Sequence, residues 1–447
     1  MFKALKRDRA FYGYLLRLTG PIALQNLITF SLGLIDTLMV SQLGNNEMAA
    51  VTAANVPVFL LISIVFGVQS GVGILISQYW GKKDLPSISR AIGVAAGLGV
   101  ALALVIALAL FLWPVQIMDL MSNKHHLSLL GAPYLRVIGF SYVFNMLSSI
   151  YVSAQRSVEN ASFGMKLFGM STVLNTGMNY LLIFGKCGFP MLGVEGAAIA
   201  TDISQLVSCV LSLRFLIKST DDCRVIPREI RLHKKMAARI IRVGLPTGIQ
   251  NMVISFSNVL VQASVNSYGA AAMAGFAAYM KIDGFNILPV SSISMAATTF
   301  VGQNYGAGRL DRVKKGTWVT LAVGVVYTLI TGTLLLLGQN AILHLFTQDE
   351  AVVAFGAAAM HWFCPFYFLL SILHGLAGAV RGTGASIPPM VVLLVSLCLF
   401  RIVWIQWVLP LFSGIEGVFI LYPVSWALGA GLMILYAWKG KWMEYHA

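Results

Sequence analysis

Apolar stretches of about twenty residues without a single charge recur along this chain, and 91–113, 319–337 and 418–438 are three of them. At ~1.5 Å rise per residue, each is long enough as a helix to cross the ~30 Å hydrocarbon core of a bilayer. A soluble fold cannot absorb so many. Only 11% of the 447 residues are charged, about half the share of a globular chain, so there is too little polar surface to wrap such a body. Twelve spans can be drawn, at 18–40, 48–80, 91–113, 133–154, 163–184, 194–217, 241–265, 273–302, 316–338, 353–379, 388–409 and 418–438. The expected fold class is an all-α integral membrane protein of twelve transmembrane helices.

A formal net charge of +14 would suit a nucleic-acid binder, since a basic surface attracts phosphate. Its distribution says otherwise. Loops on the amino-terminal side of the spans hold Lys3, Lys6, Arg7, Arg9, Lys82, Lys83, Arg90, Arg156, the basic run 224–242, Arg309, Arg312, Lys314, Lys315, Arg381, Lys439 and Lys441. The opposite loops hold little beyond Lys124 and Lys186. That bias follows the positive-inside rule and puts both termini of a multi-pass membrane protein in the cytoplasm. The partners expected are the lipid bilayer and a small-molecule substrate, with no nucleic acid, and the expected state is a monomer. Residues 1–17 are basic and amphipathic, but the apolar segment after them is long and lacks a small-residue cleavage site, so it reads as a retained first helix. Cys187, Cys209, Cys223, Cys364 and Cys398 are scattered, with no metal-binding spacing and one of them, Cys187, in an outer loop.

Sliding the chain against itself by 225 residues superposes its halves. Pro21, Gln25 and Asn26 fall on Pro246, Gln250 and Asn251; Gly44, Met48, Ala49 and Ala53 fall on Gly269, Met273, Ala274 and Ala278. Gln78 and Gly81 meet Gln303 and Gly306, and Arg156 meets Arg381. At a slightly shorter offset, Gly193-Val194-Glu195-Gly196 meets Gly414-Ile415-Glu416-Gly417. Six spans per repeat is an even number, so both copies share one orientation, related by an axis along the membrane normal with a substrate path between them. The organisation expected is an amino-terminal six-helix lobe at 1–220, a basic cytoplasmic linker at 221–236 and a carboxy-terminal six-helix lobe at 237–447.

These residues resemble the multidrug and toxic compound extrusion (MATE) family, in its bacterial NorM- and DinF-like branch. The resemblance runs over nearly the whole chain. It rests on Gly20-Pro21 with Asp36 in the same helix, and on Gly302-Gln303-Asn304-Tyr305-Gly306-Ala307-Gly308 after the eighth span. Arg381-Gly382-Thr383-Gly384 and Gly196-Ala197-Ala198-Ile199-Ala200-Thr201 add to it. It implies two pseudo-symmetric six-helix lobes in a V that alternates between inward- and outward-open states. It also implies export of drugs or metabolites against inward H+ or Na+ flow.

Acids inside a membrane helix cost a few kcal/mol, so each demands a reason. Asp36, Asp202 and Asp283 lie well within the spans. Gln25 is eleven residues before Asp36, nearly on the same helix face. Asn175 and Asn179 are four apart, hence neighbours on one face of the fifth helix. With Thr201 on the sixth they would give one carboxylate, two amides and a hydroxyl, an oxygen set fit for a hard cation or a proton. The resemblance implies the same, since Asp36, Asn175, Asn179 and Thr201 fall where the family places its amino-lobe cation site. Some members carry Asp at the position of Asn179, which leaves H+ and Na+ both open as the coupling ion. A second tier comprises Gln25, Asp202, Lys281, Asp283 and Arg401; isolated charges at depth are expected to pair, so the last three form a candidate carboxy-lobe network.

The glycine-rich 302–308 lacks the Lys-Ser/Thr ending of a phosphate loop and reads as a helix-to-helix turn. No cofactor is expected, no metal beyond Na+ at the Asp36 cluster, and no enzyme activity. Rival readings are a lipid-linked-sugar flippase on a related scaffold, and a membrane enzyme or channel. The flippase would need deep cations in the first six spans, where Lys166, Arg214 and Arg136 all sit near span ends.

Overall fold

The computed structural model describes residues 9–121, 125–218 and 233–444. These hold twelve long helices: α1 Arg9–Ser41, α2 Asn45–Lys82, α3 Leu85–Leu112, α4 His125–Ser157, α5 Ser162–Phe184, α6 Gly193–Lys218, α7 Lys234–Asn266, α8 Ala270–Gly306, α9 Leu310–Leu337, α10 Glu350–Gly382, α11 Ile387–Leu411 and α12 Glu416–Lys439. The all-α, twelve-helix fold class holds. Eleven are long and apolar enough to cross a membrane. The exception, α7, is long enough but is interrupted by Gln250, Asn251, Ser255, Asn258 and Gln262. Two helices are broken within their spans. In α10, Pro365 has no N–H to donate, and Cys364–Phe366 tightens into a 3₁₀ turn. In α11, the stretches Leu394–Leu399 and Trp404–Val408 widen into π-helix around Arg401.

The chain divides into two compact units, Met1–Gly248 and Ile249–Ala447. The boundary lies inside α7, because its first turns pack within the first unit. There Gly244 meets Gly67 and Gly71 of α2 so closely that a Cβ on Gly71 would stand 2.6 Å from the Ile240 carbonyl. Most of the expected linker, 221–232, lies outside the described residues.

The repeat reaches the backbone itself. Glycines 44 and 269, which precede α2 and α8, have φ of 144° and 101°. Lys83 and Gly308 are both left-handed, at 59° and 70°, and so are Glu159 and Gly384, at 74° and 92°. The turn after α8 is thus made by 307–309, with 302–306 still helical. Packing repeats as well. In the first unit α4 is central and packs on α2, α3 and α6; in the second, α10 packs on α8, α9 and α12.

At the α2–α4 and α8–α10 seams, small residues let backbones approach while hydroxyls cross between helices, which is how helices associate where lipid removes the hydrophobic drive. The partners trade places between halves. Ser157 and Ser153 of α4 donate to the Gly73 and Gln69 carbonyls of α2, at 2.8 and 2.9 Å. In the second unit Thr298 and Ser294 of α8 donate to the Gly378 and His374 carbonyls of α10, at 2.9 and 2.6 Å. Arg156 and Arg381, at matching helix ends, each donate to a serine of this seam, Ser153 at 3.2 Å and Ser294 at 3.1 Å.

Candidate functional site

In the first unit α1 packs on α5, and α5 on α6. Four residues per turn-and-a-bit stack Asn175 and Asn179 on the buried side of α5, 0% and 1% exposed, where both neighbours can be reached. Asn179 Nδ2 donates to Asp36 Oδ1 at 2.6 Å and to Asn175 Oδ1 at 2.8 Å. Asn175 Nδ2 in turn donates to Thr201 Oγ1 at 3.1 Å and Ser204 Oγ at 3.4 Å. The expected four residues therefore meet in one hydrogen-bonded line from α1 through α5 to α6. One acceptor in it is unfilled: Asn179 Oδ1 is buried and has no hydrogen-bond partner. Leaving such an atom dry costs about 1–3 kcal/mol, so it marks a place where a donor or cation would be welcome.

The second-tier residues of this unit stand apart from that line. Gln25 shares the α5-facing side of α1, seated over Gly164 so closely that a Cβ there would collide with its amide oxygen. Eleven residues at 1.5 Å place it ~16 Å from Asp36 along the axis, at another level. Asp202 turns away from Thr201 towards α4, where Ser141 lies against it, and its Oδ1 is buried without a partner. Tyr134 and Tyr142 of α4 lie within electrostatic reach of Asp36, and Tyr134 also of Asp202.

The expected network of Lys281, Asp283 and Arg401 does not form. Tyr367 donates to Asp283 Oδ1 at 2.8 Å, and the Tyr279 hydroxyl lies 2.8 Å from that of Tyr367. Lys281 is exposed, with its ammonium 6.0 Å from the Phe346 ring. Arg401 is 2% exposed and bonds hydroxyls, Nε to Ser425 at 3.2 Å and Nη1 to Ser257 at 3.1 Å. Its guanidinium also lies 4.4 Å from the centre of the Tyr422 ring. Isolated charges do find partners here, but the partners are phenols, hydroxyls and a ring face, none of which has a charge signal in the sequence. Tyr279 was the detectable one, one turn before Asp283.

Arg401 has a counterpart in the first unit. Helices α5 and α11 begin 225 residues apart, at Ser162 and Ile387. One extra residue in the π-helical stretch Leu394–Leu399 brings Arg401 into register with Asn175. The offset of 221 that sets Gly193–Gly196 on Gly414–Gly417 carries Thr201 and Ser204 onto Tyr422 and Ser425. These are the partners of Asn175 on one side and of Arg401 on the other. A neutral amide in one half is matched by a fixed cation in the other.

The MatE family profile matches residues 21–181 and 246–406, one copy in each half. The chain is 26% identical to "Probable multidrug resistance protein YoeA" of Bacillus subtilis, over 94% of this chain and 93% of that one. It is 24% identical to "Probable multidrug resistance protein NorM" of Thermotoga maritima, over 96% and 92% respectively. Among solved structures, a MOP superfamily transporter from Pyrococcus furiosus has the same fold, with a TM-score of 0.86, 19% identity, and 95% and 94% coverage.

Proposed function

The chain belongs to the MatE family, and from that premise we propose that it is a secondary active antiporter exporting small cationic or amphipathic compounds by alternating access. Inward flow of H+ or Na+ through the Asp36 cluster drives it. The family makes it a multi-pass membrane transporter rather than an enzyme. Its setting is the cytoplasmic membrane, with both termini in the cytoplasm, as the basic loops indicate. The names of its relatives, multidrug resistance proteins in both cases, support the cargo class.

One observation carries the coupling reading: Asn179 bonds Asp36 at 2.6 Å through Nδ2 while its own Oδ1 goes unfilled. An amide can present either edge. Turning Oδ1 towards Asp36 lets it accept a hydrogen bond from the protonated carboxyl or help ligate Na+, and the same turn withdraws Nδ2 from Asn175. Occupancy at α1 is thereby passed to α5 and, through Asn175, to Thr201 and Ser204 on α6. The ion then favours one lobe conformation and cargo the other, a population shift between two states. In the second lobe Arg401 holds the matching position with a charge that cannot leave, so exchangeable coupling belongs to the first.

The flippase reading has less support, since Arg136 is exposed on Phe111 at 5.9 Å and no other cation of the first six spans is deep. The test is efflux from proteoliposomes under separate pH and Na+ gradients, using a panel of organic cations and neutral compounds. Asp36→Asn is expected to abolish gradient-driven efflux while leaving cargo binding detectable. Full efflux by that variant refutes the assignment.

A further inference from the structure

The second unit carries a cleft of about 660 Å³ on the faces of α9, α10 and α12, well within the size range of ligand sites. Its walls are apolar apart from Lys314 and Thr317, and three tryptophans, Trp318, Trp438 and Trp442, stand around it. The Thr317 hydroxyl is used up within its own helix, donating to the Val313 carbonyl at 2.9 Å. The Trp442 indole N–H donates to the Ala437 carbonyl at 3.0 Å. That leaves the Lys314 ammonium, exposed and in no ion pair among the described residues. The cleft therefore has one cationic end and a long apolar body.

Its length and level say what fits. From Lys314 to Val325, the cleft-lining residues of α9 span eleven steps, or ~16 Å, which matches the ~15 Å depth of one leaflet's hydrocarbon. Trp318 and Trp438 are 63% and 81% exposed, and such amphipathic rings settle at the headgroup level. The surroundings of the cationic end are mostly basic: Arg312, Lys439 and Lys441 are exposed there, against Asp311 and a Glu444 already paired with Lys441 at 3.4 Å. The segment after α12 is pinned beside it by Tyr305, whose hydroxyl donates to the Glu444 carbonyl at 2.7 Å.

We propose that this cleft is a binding site for an anionic phospholipid of the leaflet that the basic loops face, with its phosphate on Lys314 and one acyl chain along α9 between α10 and α12. The proposal is independent of ion coupling, because it concerns a site on one unit and needs no gradient. A zwitterionic lipid presents the same tail and a cancelled headgroup charge, so Lys314 should discriminate.

The test uses the full chain in nanodiscs doped with phosphatidylglycerol or phosphatidylcholine bearing a photoreactive acyl chain, with adducts mapped by peptide mass spectrometry. Phosphatidylglycerol is expected to label 317–325 and 434–443 about five-fold more than phosphatidylcholine, the ratio one lysine near the surface supplies. Lys314→Gln should lower that preference without lowering phosphatidylcholine labelling, which shows the cleft is still formed. Equal labelling of wild type by both lipids overturns the proposal, as does a preference left unchanged by Lys314→Gln. Displacement of the lipid by a transported organic cation also overturns it, since the cleft would then belong to cargo.

Discussion

Gly196 is where the Asp36 cluster is most exposed to a single added carbon. It sits in the first turn of α6 against α5, and a Cβ built on it would stand 2.7 Å from the Leu182 carbonyl oxygen and 2.8 Å from its carbon. Both are backbone atoms, and that oxygen already accepts from Leu192 N–H at 2.9 Å, so no side chain can swing aside. Restoring carbon contact at ~3.5 Å requires the helices to part by about 0.7 Å. Thr201, five residues on, holds Asn175 at 3.1 Å across the same seam; parting of that size carries the bond beyond ~3.5 Å, where it no longer counts. Overpacking costs about 1–3 kcal/mol, and the lost hydrogen bond about 1 kcal/mol more. For a lobe of this size, Gly196→Ala should lower the apparent melting temperature of purified protein by roughly 5–10 °C. Ion-dependent efflux should fall further than cargo binding does. Gly177→Ala is the control: it lies on α5 too, yet a Cβ there meets nothing within 4 Å, so it should melt like wild type. If both variants behave alike, close approach at Gly196 does not position the cluster.

Two further outcomes follow from contacts elsewhere. Tyr367→Phe removes the donor to Asp283 Oδ1 and should destabilise the second unit by about 1–3 kcal/mol, read as a lower melting temperature. Its efflux should keep the wild-type dependence on the pH and Na+ gradients, and a changed ion dependence would move coupling into this unit. Outside the spans, the Asn340 carbonyl and then the Glu350 carboxylate raise the His344 pKa above its ordinary 6.5. A raised value means that protonated His344 contributes stability below pH 6.5, and that the contribution is lost as pH rises past the shifted value. Hydrogen exchange in Gln339–His344, corrected for intrinsic rates, should therefore lose protection as pH rises from 6.5 through the raised value. His344→Gln should abolish the difference.

The fold was legible because its two signals are both long. Runs of charge-free residues mark a bilayer-crossing helix whatever its neighbours are, and a fixed offset of 225 survives even where individual identities do not. The Asp36 cluster was legible for a related reason: an acid at depth demands partners, and the four-residue spacing of Asn175 and Asn179 offered two on one face. What failed was pairing by charge. Asp283 and Arg401 satisfy themselves with Tyr367, Ser257, Ser425 and Tyr422, uncharged groups that any apolar span contains. The breaks in α10 and α11 were partly hidden too. Pro365 announces a 3₁₀ turn, but nothing in Leu394–Leu399 announces a π-helix, because the extra residue is absorbed by packing.

That extra residue alters how the two halves compare. Aligned without it, Asn175 falls on Phe400, and the second half has no polar residue at that position. Aligned with it, Asn175 falls on Arg401, and both bond the residue at one shared position of the next helix, Ser204 or Ser425. The position is kept and its chemistry inverted. Asn175 is neutral, so in the proposed cycle its surroundings change when a proton or Na+ arrives at Asp36. Arg401 is always charged, and buried beside hydroxyls and a ring face it behaves as a cation that has already arrived. Ser257 donates to the Leu397 carbonyl within the π-helical stretch and accepts from Arg401, so the bulge that creates the register also supplies its anchor. A position with a resident cation has one electrostatic state, whereas a position beside an exchangeable ion has two. In the proposed cycle, only the second kind can be driven by a gradient, and the symmetry of the repeat is what makes the difference between the lobes visible.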